Sequence, residues 1–210
     1  MNRIRTVTRR GALGAATAAA ALVLAACGDG ADGGATGAGA DTPGRHTAAA
    51  RNAQDVAFAQ GMIPHHRQAL EMAKLAEGRA SSGAVEDLAR RIEKAQDPEI
   101  RTMTGWLKSW GEEVPDAGAG GGHHSGPGHA GMPGMMSDGE MAGLGKITGR
   151  AFDVAFLTMM VKHHEGAVAM ARTERAAGRY GPAKDMAEAI ATAQKAEIAE
   201  MKRLLADGGR

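Results

Sequence analysis

Apolar residues recur at intervals of three and four along four stretches of the chain. The first stretch carries Val56, Phe58, Met62, Ala69 and Met72, and the second carries Leu88, Ile92, Ile100, Met103 and Leu107. This spacing predicts amphipathic α-helices. We expect four helices of about 25 residues each, over residues 50–78, 84–110, 150–177 and 183–206.

The third and fourth stretches repeat the first and second at a constant offset of 98 residues, the distance from His65 to His163. The equivalent residues include Asp55 and Asp153, His65-His66 and His163-His164, and Glu99 and Glu197. Short turns within each repeat make its two helices antiparallel, and one hairpin cannot cover both of its apolar faces. The sequence therefore predicts an all-α protein, an antiparallel four-helix bundle made of two helical hairpins, residues 50–111 and 150–206.

The segments outside the repeats differ in composition. Residues 1–26 have a basic start and a short apolar run that ends just before Cys27, which resembles a bacterial lipoprotein signal with Cys27 as the lipidated residue. Residues 27–49 and 112–149 are rich in glycine and poor in large apolar side chains. We expect a tether at 27–49 that links the domain to a membrane, and a linker at 112–149 between the repeats.

Charge argues against nucleic-acid binding. Loss of the four arginines of the signal would leave 21 of the chain's 25 basic side chains, against 24 acidic ones. A nucleic-acid-binding protein would need a clustered basic face. Cys27 is the only cysteine, so that any soft metal ligand in the mature chain must be a methionine.

The repeated histidines and methionines are the candidate metal ligands. Thioether and imidazole groups favour Cu(I) and admit Cu(II) or zinc, while Ca²⁺ and Mg²⁺ need more carboxylates. Adjacent histidines point about 100° apart on a helix, so one of each pair can bind metal while the other faces a helix interface or solvent. Methionines before and after a histidine allow Met-His-Met ligation along one helix. The candidates are Met62, His65, His66, Met72 and Met103, and their equivalents Met160, His163, His164, Met170 and Met201.

Methionines at helical spacing also commonly fill a hydrophobic core, and that interpretation stays open. The polar residues on the same faces can orient the imidazoles by hydrogen bonds or hold the bundle in register. We favour orientation of the imidazoles for Asp55, Gln96, Glu99, Asp153, Gln194 and Glu197.

A second group of possible ligands lies in the predicted linker. It consists of His123, His124, His129, Met132, Met135 and Met136. Such a tract can collect copper and pass it to the ordered sites, or it can be a solvated spacer.

The paired His-His and Gln-x-x-Glu-Ile-x-x-x-Met motifs closely resemble the domain-of-unknown-function family numbered 305, over residues 50–110 and 150–206. The resemblance implies a ferritin-like four-helix bundle, commonly exported, with some relatives linked to copper binding and copper tolerance. It carries the family's candidate ligands onto the ten histidines and methionines named above. Pro64, Pro98 and the long linker depart from the family pattern.

We therefore expect an envelope-anchored protein that binds copper, sequesters it or relays it to a copper-handling partner, and has no enzymatic activity. Two alternatives remain. A di-metal oxidase on a ferritin-like bundle would use Glu-x-x-His motifs, which the sequence lacks. A metal-free helical interaction module would use the same methionines and histidines for packing alone.

Overall fold

The computed structural model describes residues 50–116 and 132–208, and these residues contain five α-helices and no strand. The helices are α1 (Ala53–Ala76), α2 (Gly83–Trp110), α3 (Asp138–Leu144), α4 (Gly149–Ala177) and α5 (Gly181–Ala206). The predicted all-α fold is confirmed, and each long helix begins and ends within three residues of its predicted limits. The predicted signal and the whole of the predicted tether, with Cys27, lie outside the described residues.

Local sequence explains where the helices begin and end. Asn52 caps α1 in a reciprocal capping box with Asp55. Gly111 ends α2 in the left-handed conformation, with a φ of 71°, which glycine adopts without steric cost. α5 carries proline in its first turn, as Gly181-Pro182 predicts. Pro64 and Pro98 lie inside α1 and α2, and both helices continue past them.

The short helix α3 is a feature that the sequence analysis missed. It lies in the predicted linker and begins with a capping box between Ser137 and Glu140. Leu144 at its end is buried in the core. Residues 132–149 of the predicted linker therefore pack onto the bundle.

α1 packs against α2 and α4 against α5, while α1 and α4 pack directly against each other at the centre. The core has two hydrophobic clusters. One contains the second half of α1 and the first half of α4, including Ala69, Met72, Phe152, Phe156 and Met160. The other contains the first half of α1 and the second half of α4, including Phe58, Met62, Ile63, Ala167 and Ala171. α1 and α4 are therefore antiparallel, and the histidines lie between the two clusters.

The predicted role of Asp55 and Asp153 in orienting the imidazoles is wrong. Asp55 lies ten residues before His65, about 15 Å along the helix, and its carboxylate accepts hydrogen bonds from the backbone N–H groups of Arg179 and Tyr180, both at 2.9 Å. Helical spacing correctly predicted the face of α1 on which Asp55 lies. The groups opposite that face, however, belong to the turn between α4 and α5 in the other repeat.

Asp153 makes the equivalent contact in the opposite direction. Its carboxylate accepts hydrogen bonds from the N–H groups of Ser81 and Ser82, both at 3.1 Å, and from the Ser81 hydroxyl. α2 and α5 have no side-chain cap of their own at these ends. Each aspartate therefore caps a helix of the other repeat, and its negative charge lies at a helix N-terminus, where it is stabilising.

None of the helices in the described parts of the chain is long and apolar enough to cross a membrane.

Asp153→Ala should lower the free energy of unfolding by about 2–3 kcal/mol, because three donors lose a buried acceptor. Urea unfolding followed by circular dichroism measures this change. Asp185→Ala, which removes an exposed carboxylate of α5, is the control and should change stability by less than about 0.5 kcal/mol. Equal stability of the two variants would contradict the capping role of Asp153.

Glu174 is buried beside Asp55, and burial, with the neighbouring Asp55 carboxyl as a smaller cause, raises the pKa of Glu174 to about 7. Burial alone would raise the pKa of Asp55 as well, but the backbone hydrogen bonds from Asn52, Tyr180 and Arg179 lower it. At mildly acidic pH, between these two pKa values, the two carboxyl groups therefore hold opposite states, with Asp55 ionised and Glu174 protonated.

Because the folded state binds the Glu174 proton more tightly than the unfolded chain, stability from this group is present below pH 4.5 and is lost as the pH rises through about 7. Glu174→Gln keeps a neutral side chain at every pH. Its unfolding free energy relative to the wild type should rise by on the order of 2 kcal/mol between pH 5 and pH 8. Urea unfolding at several pH values tests this, with the exposed Glu77→Gln as control. A difference that does not change with pH would refute the assignment.

Candidate metal centre

Four histidines lie fully buried between the two hydrophobic clusters: His65, His66, His163 and His164. The first histidine of each pair meets its equivalent from the other repeat, with 3.8 Å between the ring centroids of His65 and His163 and 43° between the ring planes. The ring centroids of His163 and His164 lie 6.3 Å apart. Because α1 and α4 pack directly against each other, the two repeats bring their histidines into one layer.

The second histidine of each pair contacts a glutamate on the other helix of its own hairpin. Nε2 of His66 lies 2.7 Å from Oε2 of Glu99, and Nε2 of His164 lies 2.7 Å from Oε2 of Glu197. The glutamate side chains are 24% and 17% exposed, so each links a buried ring to the edge of the bundle. These are the contacts expected of residues that orient an imidazole.

The hydrogen bonds of the rings indicate which nitrogen atom is available to a metal. Nε2 of His65 lies 3.1 Å from the carbonyl oxygen of Pro133, which can only accept, so Nε2 carries the proton. A carboxylate partner implies the same form for His66 and His164. Among the described residues, Nδ1 of these three rings is buried without a hydrogen-bond partner, and in His163 neither ring nitrogen has one. Buried polar atoms are rarely left unpaired, and a bare Nδ1 is a metal-binding atom.

Burial also keeps the central pair neutral. Loss of solvation, helped by the neighbouring His66, lowers the pKa of His65 to about 3, and loss of solvation, helped by His65, lowers the pKa of His163 well below its ordinary value. The neutral imidazole is the form that binds metal.

The candidate methionines divide into two sets related by the repeat. Met62, Met103 and Met170 belong to one hydrophobic cluster, and their equivalents Met160, Met201 and Met72 belong to the other. Each set therefore takes one methionine from the opposite repeat. Met72 lies in one cluster with Met160 and Met201, while Met62 lies in the other. The predicted Met-His-Met ligation along one helix stays a prediction.

Gln96 and Gln194 are buried in the same helices, one turn before Glu99 and Glu197. Both amide atoms of Gln96 and the amide oxygen of Gln194 have no hydrogen-bond partner among the described residues. No hydrogen bond joins these amide atoms to a histidine ring among the described residues, so their role in orienting the imidazoles stays a prediction.

Within residues 50–116 and 132–208, no three histidine, cysteine, aspartate or glutamate side chains converge on a point where they could hold a metal ion. A site that takes three or more ligands from this part of the chain therefore needs a donor of another kind, and the thioethers of the neighbouring methionines are candidates. Such a donor set suits a soft ion.

The predicted auxiliary ligands of the linker have different outcomes. His123, His124 and His129 lie outside the described residues. Met136 is 5% exposed and belongs to a hydrophobic cluster, which contradicts its predicted place in a flexible tract. Met132 and Met135 are half-buried.

Residues 132–136, which we call the strap, cross the histidine layer and were not recognised as a structural element from the sequence. The strap supplies the Pro133 carbonyl that binds His65. Its backbone at Met136 is held by Gln68 of α1. Gly134 and Gly166, each placed for a close approach of two backbones, are the sequence signal that could have revealed it.

The chain belongs to the family of the domain of unknown function DUF305, whose model matches residues 55–205. Among solved structures, a DUF305 protein from Streptomyces coelicolor, described as secreted, is 34% identical with a TM-score of 0.65, over 74% of this chain and 94% of that one. A DUF305 fragment from Deinococcus radiodurans is 33% identical with a TM-score of 0.64, over 74% and 97%.

The protein CopM is also similar in structure. Its Cu(II)-bound form is 31% identical with a TM-score of 0.61, and its Cu(I)-bound form 27% identical with a TM-score of 0.59, each over 73% of this chain and 96% of that one. CopM is also known in silver-bound and apo forms. No curated protein sequence matches the chain significantly.

Proposed function

We propose that this protein binds copper as Cu(I) at the buried histidine layer, with ligands from both repeats, and that it sequesters or relays the ion outside the cytoplasm. The central observation is the set of buried imidazoles whose Nδ1 atoms have no hydrogen-bond partner in residues 50–116 and 132–208, with His65 and His163 in contact between the repeats. If no ligand bound here, apolar side chains at these positions would be more favourable than imidazoles with unpaired buried nitrogens.

The donor chemistry supports Cu(I) over zinc. Zinc sites in proteins take three or four nitrogen, thiolate or carboxylate ligands, and the described residues offer no such group. The histidine layer instead lies between two sets of three methionines. The Cu(I)-, Cu(II)- and silver-bound forms of CopM support the same class of ion.

Export and attachment to a membrane are further parts of the proposal. A basic start, a short apolar run and Cys27 support an exported lipoprotein. The similar Streptomyces coelicolor protein is described as secreted. A copper-handling partner would receive the ion in the relay version of this role.

The structure offers little support for the alternative of a di-metal oxidase, which would use glutamates from several helices at one centre. Glu99 and Glu197 contact different histidines. They act as orienting groups in this proposal.

Replacing His65, His66, His163 and His164 by alanine should abolish most Cu(I) binding. Titration of the reduced protein under anaerobic conditions against a chromogenic Cu(I) chelator measures the stoichiometry and affinity, and circular dichroism checks that the helices remain. An unchanged stoichiometry in a folded variant would end the proposal for this site.

Methionine substitutions test the thioether ligands with less disturbance of packing. Met62→Leu, Met103→Leu and Met170→Leu together conserve volume and should leave the fold intact but weaken Cu(I) binding. Met186→Leu, outside both sets, is the control. Equal affinity in the triple variant and the control would assign these methionines to packing alone.

Glu99→Gln and Glu197→Gln should each lower Cu(I) affinity by about 10- to 100-fold, because the amide holds the ring less firmly and makes it less basic. Chelator competition measures the affinity. Glu93→Gln, on α2 and away from the histidine contacts, is the control. Affinities equal to the wild type would show that these glutamates do not act on a ligand.

A further inference from the structure

The strap is attached to α1 by two side-chain hydrogen bonds from one residue. Nε2 of Gln68 donates to the carbonyl oxygen of Met136, and the Met136 N–H donates to Oε1 of Gln68, both at 2.8 Å. Gln68 is 6% exposed. The amide group of Gln68 satisfies both backbone groups of Met136, so this one side chain holds the strap against α1.

The strap contacts α4 closely through its backbone at two glycines. A Cβ atom at Gly166 would lie 1.9 Å from the carbonyl oxygen of Pro133, and one at Gly134 would lie 2.5 Å from the carbonyl oxygen of Lys162. Gly134 also has a φ of 82°, which other residues rarely adopt. The strap can lie this close to α4 only because both positions are glycine.

These contacts place the strap directly over the central histidines. Pro133 binds the His65 ring, and Gly134 lies against the backbone of α4 at Lys162 and His163. The residue of repeat 2 equivalent to Gln68 is Gly166, so both repeats are adapted to the same strap in different ways. Met132, at the start of the strap, and Met170 both lie over Gly61, which leaves room for them.

We propose that the strap controls access of Cu(I) to the His65–His163 pair, with Gln68 as the positioning residue that keeps it closed. This inference rests on the proposed function. Metal enters or leaves when the Gln68 bonds and the Pro133–His65 bond open together. The strap closes over the pair both before and after metal binds, so its opening sets both rates and leaves the equilibrium unchanged.

Gln68→Leu keeps the volume of the side chain but removes both hydrogen bonds to the backbone of Met136. Loading of Cu(I) from a chromogenic chelate and its release to excess chelator, both followed by stopped-flow absorbance, should become roughly tenfold faster, the factor expected for two hydrogen bonds of ordinary net strength. The dissociation constant should not change. Gln60→Leu is the matched control, because Gln60 lies on the same helix and its side chain binds the carbonyl of Glu113 instead.

Gly166→Ala opens the strap by a different route, because the added methyl group displaces Pro133 while alanine suits the interior of a helix. We expect the same equal rise in both rates. Gly105→Ala, inside α2 with nothing within 4 Å of an added Cβ, is its control and should match the wild type.

Carbethoxylation of His65 in the metal-free protein, quantified by peptide mass spectrometry, reports access without any metal. It should be faster in Gln68→Leu and Gly166→Ala than in their controls. If the wild type binds no Cu(I), the proposed function fails, and these modification rates alone decide whether the strap controls access.

Unchanged metal rates and unchanged modification of His65 in both strap variants would overturn the inference. Faster release with a weaker dissociation constant and unaltered loading would also overturn it, because that pattern indicates damage to the binding site and not control of access.

Discussion

The structure depends on the burial of four imidazoles between two hydrophobic clusters. Removing such groups from water is unfavourable unless each polar atom finds a partner. Glu99 and Glu197 each provide a partner to one ring, and the carbonyl of Pro133 provides one to another. The remaining ring nitrogens have none within the described residues. The histidine layer in the middle of the bundle therefore lowers the stability of the fold. The hydrophobic clusters on both sides of the layer and the aspartate caps at the helix ends offset this loss.

The fold was largely predictable because apolar spacing reports helices directly. The contacts of Glu99 and Glu197 with the rings also follow from faces that helical periodicity defines. Periodicity does not say which helix lies opposite a face, so Asp55 and Asp153 were assigned to the wrong partners, and the cluster that Met72 joins could not be predicted. The strap was missed because glycine-rich composition resembles a linker, and only the atoms that Gly134 and Gly166 meet distinguish a tightly packed segment from a loose one.

The duplication is close to symmetric at the rings but not around them. The glutamate contacts have the same length in both repeats. The strap, however, binds the ring of His65, and neither nitrogen of the His163 ring has a hydrogen-bond partner in the part of the chain that the structure describes. Gln68 stands opposite Gly166 in the repeat alignment, and Pro64 opposite Lys162. Two equivalent histidines therefore have different surroundings, and a metal bound between them would meet unequal ligands.

Because Asp55 caps α5 and Asp153 caps α2, each hairpin completes a helix of the other. A chain with one hairpin could make these bonds only with a second molecule, so its folding would depend on concentration. Joining the two copies in one polypeptide makes the association intramolecular. The reciprocal caps thus describe the interface of a homodimer whose two halves are joined in one chain.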